Sequence, residues 1–335
     1  MSNTIHDVAR QAGVGIGTVS SVLNNSRPVS QATREKVLAA IDKLDFIPNS
    51  SGRRLSMGRT DSIAVIIPYF TSVAQIERLR GVMSVIVESD YDINLFTVEN
   101  APQRDKVFQT VPRRGRVDGL LIFSLNMRDK DLKQIQQGKI PTVLVESFHP
   151  ELPNIYIDDI AATRKAVEYL ADLGHQNIAY VGDVLEDPLG SSFNQNRYLG
   201  YCQGMENKGL HVHPSFYRVG WHRRAKGYQV GMKLLKQTNR PTAIFAFCDE
   251  LALGVIEAAR ELEINVPSDL SVIGYDDIEL AHFAQLTTVR QHLFETGVQG
   301  VELLLNTIDT PNYNAGSIQL ETKLIVRQTT VSPNQ

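Results

Sequence analysis

Three alternate glycines, Gly13, Gly15 and Gly17, are the first residues that could do chemistry. Such a loop cradles a dinucleotide pyrophosphate when it follows a β-strand and opens a helix. The residues before Gly13 follow a helical pattern instead, so no nucleotide loop is expected. His211, His213 and His222 lie close in sequence. No Cys or His partners stand at ligand spacing, so they read as surface histidines and no metal is implied. Cys202 and Cys248 are expected to be reduced thiols, because the N-terminus lacks the cationic-then-apolar pattern of an export signal. No Gly-x-Ser-x-Gly elbow, phosphate loop or His-Glu-x-x-His helix occurs. The chain therefore reads as a non-enzyme without a cofactor.

What remains is charge. Residues 1–60 hold the basic residues Arg10, Arg27, Arg34, Lys36, Lys43, Arg53, Arg54 and Arg59 against Asp7, Glu35, Asp42 and Asp45. This segment is net +4, which leaves −7 for the remainder of a chain whose formal charge is −3. A basic head on an acidic body suggests that only the head meets a polyanion.

The elements that would present this head are short helices. Thr4 and Asp7 are spaced as a capping box, Val8, Ala9 and Ala12 form an apolar stripe, and Gly13 ends the first helix. A second helix is expected over 16–23, with Val19, Val22 and Leu23 inward. Ser30 can cap a third over 31–44, with Val37, Leu38, Ile41 and Leu44 on its 3.6-residue period. Three helices with a Gly-containing turn between the first two fit an all-α helix-turn-helix head.

These residues resemble the lactose-repressor (LacI/GalR) family of bacterial regulators. The resemblance rests on Thr4-Ile5-His6-Asp7-Val8-Ala9, Ala12-Gly13-Val14, Thr18-Val19-Ser20, Val22-Leu23-Asn24, Ala32-Thr33-Arg34-Glu35-Lys36-Val37 and Leu44-Asp45-Phe46-Ile47-Pro48-Asn49. It continues more loosely over essentially the whole chain. It implies a DNA-binding domain over 1–46, a hinge over 47–61 and an effector-binding and dimerisation domain over 62–335. It also implies that the second helix enters a major groove. Ile16 and Gly17 would then meet base edges, with Thr18, Ser20 and Ser21 near bases or phosphates and Thr4 and Asn24 at the DNA surface. In the hinge, Asn49 would cap a short helix, Arg53 and Arg54 would meet phosphates or a minor groove, and Leu55 would wedge between base pairs. This chain has Gly15 where the family usually has Ser, Ser21 where it has Arg, and Gly52 where it has Ala.

Beyond residue 61, apolar runs at 63–67, 93–98, 119–123 and 142–145 read as buried parallel strands. Runs at 178–181, 243–247 and 270–273 form a second set. Amphipathic helices are expected over 73–88, 160–174, 195–208, 225–237 and 250–262. Two such sets predict a two-lobed, doubly wound α/β domain with a ligand cleft between the lobes. The family resemblance implies a periplasmic-binding-protein-like effector domain. Its motifs include Leu173-Gly174-His175, Ile178-Ala179-Tyr180-Val181-Gly182, Arg197-Tyr198-Leu199-Gly200-Tyr201 and Gly274-Tyr275-Asp276-Asp277. Carried over, the ligand-facing residues are Phe70, Gln75, Glu146, Arg197, Trp221, Cys248, Asp249, Asp276 and His292. A fork of donors, a carboxylate and an indole face suit a polyol.

The sequence therefore predicts a cytoplasmic, homodimeric regulator, and a repressor by resemblance. Its partners would be a near-palindromic double-stranded DNA operator and a small-molecule effector, a carbohydrate or its derivative. No apolar run approaches the ~20 residues of a membrane span, so no membrane partner is expected. The absence of a heptad tail after Arg327-Gln328-Thr329-Thr330 favours a dimer over a tetramer.

Overall fold

The computed structural model describes residues 3–24, 27–46, 59–113, 115–310 and 316–333. It divides into two compact units, Met1–Asp61 and Ser62–Gln335. The first contains α1 (Ile5–Ala12), α2 (Ile16–Asn24) and α3 (Gln31–Lys43). The Asp7 carboxylate accepts from Thr4 N at 3.0 Å and Thr4 Oγ1 at 2.7 Å, which satisfies an otherwise orphan amide at the start of α1. Gly13 closes α1 at φ 66°, a left-handed conformation that favours glycine. Val8, Ala9, Val19, Val22, Val37, Ala40 and Phe46 form the buried core. Leu38, expected on the inward period of α3, is instead 47% exposed. The buried line runs through Val37 and Ala40, and Leu38 stands about 100° around the helix from Val37.

The second unit has two six-stranded sheets. The N-lobe strands are β1 (Ser62–Pro68), β2 (Asp92–Val98), β3 (Gly119–Phe123), β4 (Thr142–Val145) and β5 (Asn154–Ile157). A later strand, β11 (Ser317–Leu320), returns to the same sheet, giving the all-parallel order β11-β5-β4-β3-β1-β2. β1 is buried throughout and alternates: Ile63, Val65 and Ile67 enter one core, Ala64 and Ile66 the other. That is why it reads as a continuous apolar run. β2, expected to be buried, is an edge strand and largely exposed. Helices α4 (Val73–Ile86), α5 (Ala101–Thr110) and α6 (Asp129–Gly138) follow β1, β2 and β3 in the chain.

The C-lobe strands are β6 (Ile178–Gly182), β7 (Tyr217–Val219), β8 (Ala243–Ala246), β9 (Ser271–Asp276), β10 (Thr287–Arg290) and β12 (Lys323–Ile325). Their order is β12-β10-β9-β8-β6-β7, and only β12 is antiparallel to its neighbour. Helices α7 (Asp159–Asp172), α8 (Phe193–Asn207), α9 (Arg224–Leu235) and α10 (Asp249–Glu261) pack as the pairs α7–α8 and α9–α10. A short α11 (Glu279–Phe283) follows β9, and α12 (Leu293–Asp309) packs on α4 in the N-lobe. The chain thus crosses between lobes after β5, after β10 and between β11 and β12. In each sheet the strand order reverses once, between β1 and β3 and between β6 and β8. Ligand sites in such sheets form at the carboxyl ends of the strands beside these reversals.

The α7–α8 contact positions the site. A methyl group on Gly200 would collide with the Ile160 carbonyl and come within 2.9 Å of Thr163 Cβ. The two helices therefore meet backbone to backbone, one turn from Arg197. Gly200→Ala is expected to destabilise the body by about 1–3 kcal/mol through overpacking. Urea denaturation of the variant and the parent would measure this.

Candidate functional site

On the head, α2 turns one surface to solvent. Ile16 is 42% exposed, Gly17 is exposed, and Thr18, Ser20 and Ser21 are half-buried. The Ser21 hydroxyl donates to the Gly17 carbonyl at 2.8 Å, one turn back along its own helix. A methyl group at Gly15 or Gly17 would meet nothing within 4 Å. The exposed start of α2 is thus a smooth surface carrying one large apolar side chain. Thr4 is exposed at the N-cap of α1. Asn24 is the last residue of α2, and its side chain lies outside the described residues, as do Asn49, Gly52, Arg53, Arg54, Leu55 and Gly58.

In the body, the carboxyl ends of the strands from both lobes converge. Tyr69, Ser124 and Glu146 each stand one residue beyond β1, β3 and β4, and all three adopt positive φ, between 48° and 55°. On the C-lobe Trp221, Asp276 and His292 also have positive φ. Non-glycine residues in this region cost about 1–3 kcal/mol each and cluster at binding sites. Here they turn side chains off the strand ends.

The deepest part of the cleft is a charge network. Arg197 Nε donates to Asp159 Oδ1 at 2.8 Å, and Arg197 Nη1 donates to the Phe247 carbonyl at 2.8 Å. The guanidinium lies 3.8 Å from the Tyr275 ring centroid, and Tyr275 Oη donates to the same Asp159 oxygen. Arg197 also stands 3.7 Å from Glu146 in the opposite lobe and 3.9 Å from Asp276. Arg78, from α4, donates to Glu146 at 2.6 Å and to Gln291 Oε1 at 2.9 Å. Gln75 donates to Ser124 Oγ, Ser124 Oγ to Glu146, and Gln291 to Asp276. These groups leave a free volume of only about 40 Å³, room for a water or two. An adjoining outer chamber of about 480 Å³ is lined by Tyr69, Glu99, Asp183, Asn194, Trp221 and Glu250, among others. Residues 183–192 cross its rim, where Asp187 accepts from Tyr69 Oη at 2.7 Å and the Leu189 carbonyl accepts from Arg104.

The comparisons with known proteins divide the chain in two. Residues 4–49 match the model for bacterial regulatory proteins of the lacI family, and residues 167–330 match the periplasmic binding protein-like domain. Catabolite control protein A of Priestia megaterium is 33% identical over 334 residues, covering 98% of this chain and 100% of its own. The chain belongs to the lacI family. It is a DNA-binding transcriptional regulator, and its relatives are regulators rather than enzymes. A lac repressor dimer bound to operator and an anti-inducer superposes with TM-score 0.85 at 28% identity, covering 99% of this chain and 100% of that one. A complex of the regulator CelR with cellobiose superposes with TM-score 0.70 at 28% identity, covering 98% and 99%.

Of the effector residues carried over to this lacI-family regulator, Gln75, Glu146, Arg197, Cys248 and Asp276 line the deep cleft, and Trp221 lines the outer chamber. Trp221 is 53% exposed, a mouth residue rather than core. Phe70, Asp249 and His292 are not among the cleft-lining residues. Phe70 packs on the N-lobe core. Asp249 turns beneath the cleft floor, accepting from Thr288 Oγ1 at 2.5 Å and Ile278 N at 2.9 Å. His292 caps α12 with its ring 3.9 Å from Glu295, and its neighbour Gln291 enters the cleft instead. Sequence reasoning missed Arg78, Gln291, Asp159 and Tyr69. Arg78 had a usable signal, for it stands three residues after Gln75 and shares its helix face. His222, read as a surface histidine, is half-buried in the cleft with its ring stacked on Phe247 at 4.7 Å. Among the described residues no His/Cys/Asp/Glu group is placed to hold a metal, and no helix is long and apolar enough to cross a membrane.

Burial governs the electrostatics. It raises the Asp159 carboxyl against the opposing pull of Arg197. It would lower Arg197, but Asp159, Tyr275, Asp276 and Glu146 more than reverse this, so the guanidinium stays charged. Asp276 is pushed up to about 6 by burial, against Arg197 and Arg78. A carboxyl raised in the folded state binds a proton there that the unfolded chain has released. Its ionisation therefore subtracts stability as pH rises from about 4 to about 6, and the loss is complete above that. Asp276→Asn removes this titration while keeping an oxygen for Gln291. The variant should gain stability relative to the parent across that window in urea denaturation at stepped pH. Parallel pH profiles would contradict the assignment.

Proposed function

We propose that this regulator is a homodimeric repressor acting in the cytoplasm, released from or held on its operator by a small molecule bound between the lobes. The observation that carries the reading is the convergence of Arg78, Glu146, Arg197, Asp276 and Gln291, from both lobes, on one cleft. A ligand there has differential contacts to offer between open and closed lobes, which is what shifting a two-state equilibrium requires. The CelR neighbour holds cellobiose, and the polar, hydrogen-bonding cleft suits a hydroxyl-rich molecule, a sugar or sugar derivative. The lac repressor neighbour is a dimer on operator DNA, which supports two heads on a near-palindromic site with half-sites about one helical turn apart.

On this reading α2 reads bases in a major groove. Ile16 packs on a thymine methyl, Gly17 admits close approach, and Thr18 and Ser20 meet bases or phosphates, with Thr4, Ser21 and Asn24 at the edge of the contact. Asn49, Arg53, Arg54 and Leu55 would complete it from the minor groove. Arg197→Ala strands a buried Asp159, so it should destabilise the fold by about 3–5 kcal/mol rather than silence the effector response alone.

Two measurements test the proposal. Gel shifts across a salt series should show operator affinity of the full chain falling steeply with salt through counterion release, while residues 62–335 alone should not shift operator at all. Titration with a panel of mono- and disaccharides should find a ligand that changes operator affinity, and Asp276→Asn should raise the concentration required about tenfold or more. Operator binding by residues 62–335, or no response to any sugar or derivative, would overturn the corresponding half.

A further inference from the structure

The deep cleft and the outer chamber differ in what they leave open to a ligand. In the deep cleft both arginines are already engaged by Glu146, Asp159 and Gln291. The chamber shares Tyr69, Ser72, His222 and Glu250 with it, so the two are one continuous cavity. The chamber lining holds four carboxylates, Glu99, Asp183, Asp187 and Glu250, against the single exposed Arg223 and the imidazole of His222. Asp187 is spent on Tyr69 Oη and the amides of Leu189 and Ser191. Asp183 accepts from Val184 N and lies 3.0 Å from His222 Nε2, an approach not aligned as a hydrogen bond. Glu250 is half-buried, and burial holds its carboxyl above the ordinary glutamate range against the Val73 amide, His222 and Arg223. Four carboxylates thus share one arginine and one imidazole.

A second observation points the same way. Asn194 is only 3% exposed and lines the chamber. Its Nδ2 donates to the Val184 carbonyl at 2.8 Å, which fixes the amide's orientation. Its Oδ1 has no donor among the described residues. Gln75 Oε1 in the deep cleft is in the same position, with Nε2 committed to Ser124. A buried acceptor without a donor costs about 1–3 kcal/mol, recovered when a donor arrives. Among the described residues, the buried cleft nitrogens without a hydrogen-bond partner are Arg78 Nε and His222 Nε2. The chamber therefore asks for hydrogen-bond donors and positive charge. Trp221 and Tyr69 add aromatic surface, which also attracts cations.

We propose that the effector carries an ammonium group, seated in the outer chamber against Asp183, Glu250 and Asn194 Oδ1, with its hydroxylated part reaching toward the deep cleft. This makes the ligand an amino sugar or a comparable amino polyol. The inference rests on the reading of the cleft as an effector site. An ammonium to carboxylate contact is charge-assisted and about twice as strong as its neutral counterpart, so loss of the charge should weaken binding about tenfold or more.

The test uses the full chain and matched ligands: glucose, glucosamine and N-acetylglucosamine, then the galactose and linear amino-alcohol equivalents. Calorimetry and thermal shift measure binding, and operator gel shifts run in parallel. The amine should bind at least about tenfold tighter than its hydroxyl or N-acetyl partner, and Asp183→Asn and Glu250→Gln should erase that preference. N-acetylation removes the charge without altering the protein, so the comparison survives even if a variant fails to fold. Equal or tighter binding of the neutral members, or no binding of any amine at millimolar concentration, overturns the proposal. If neutral sugars bind as tightly as the amines and change operator affinity, the amine assignment fails and the effector reading stands. If amines bind selectively without changing operator affinity, the ligand chemistry stands and the regulatory reading fails.

Discussion

The ion pair between Arg197 and Asp159 is the constraint from which the cleft follows. Both side chains are buried, and a charge removed from water must be matched closely or it unfolds its surroundings. Matching them requires the start of α7 and the first turns of α8 to approach until only glycine fits between them. That is the role of Gly200. With Asp159 taking Nε and the Phe247 carbonyl taking Nη1, the guanidinium has one edge left over, and that edge faces Glu146 of the other lobe. One residue thus anchors the C-lobe core and supplies an electrostatic tie across the cleft.

That tie explains why the deep cleft is nearly full. Arg78, Glu146 and Gln291 complete one another when the lobes are close, as Ser124 and Gln75 complete Glu146 from behind. The left-handed conformations at Tyr69, Ser124 and Glu146 are the local strain by which three adjacent strand ends turn their side chains off the sheet. Strain of this kind persists only where the surroundings over-determine it, and here the surroundings are the network itself. A ligand that enters the deep cleft must replace contacts the protein makes with itself. Its net effect is a difference between two well-satisfied arrangements, and such differences can be small enough to switch.

The sequence carried the architecture more clearly than the site. Helices over 160–174, 195–208 and 250–262 were legible because an apolar stripe of period 3.6 must face the sheet, and the observed elements differ from them by one or two residues. β1 was legible because both of its faces are covered. β2 misled because apolar content alone does not reveal a strand's place in the sheet, and an edge position is set by topology. β5, β10 and β11 are as long as β4 and β8 but interleave polar residues such as Asn154, Thr287, Thr288, Ser317 and Gln319, and β7 and β12 are only three residues each, so none stands out as an apolar run. At the site, Asp249 and His292 had chemistry suited to a ligand but backbone positions that turn them elsewhere. Arg78 and Asp159 were passed over because a buried charge is invisible in sequence until its partner is known. The cleft is a property of pairs of residues, and the pairs span up to 213 positions.

The head and the body divide recognition between opposite chemistries. The body's cavity is lined by paired charges and hydrogen-bonding groups, which suit polar and charged partners. The exposed start of α2 offers almost the reverse. Ile16 has no polar group, Gly17 has no side chain, and Ser21 has turned its hydroxyl proton to the Gly17 carbonyl. If α2 lies in a major groove as proposed, direct readout is limited to apolar contact with methyl groups and a few hydroxyls from Thr18 and Ser20, without the bidentate donors that fix a guanine. Affinity must then come chiefly from phosphates, and selectivity from the shape and deformability of the DNA. A regulator built this way gains little from any one base contact. In the proposed dimer, the spacing and relative orientation of two heads then become the main determinants of where it binds.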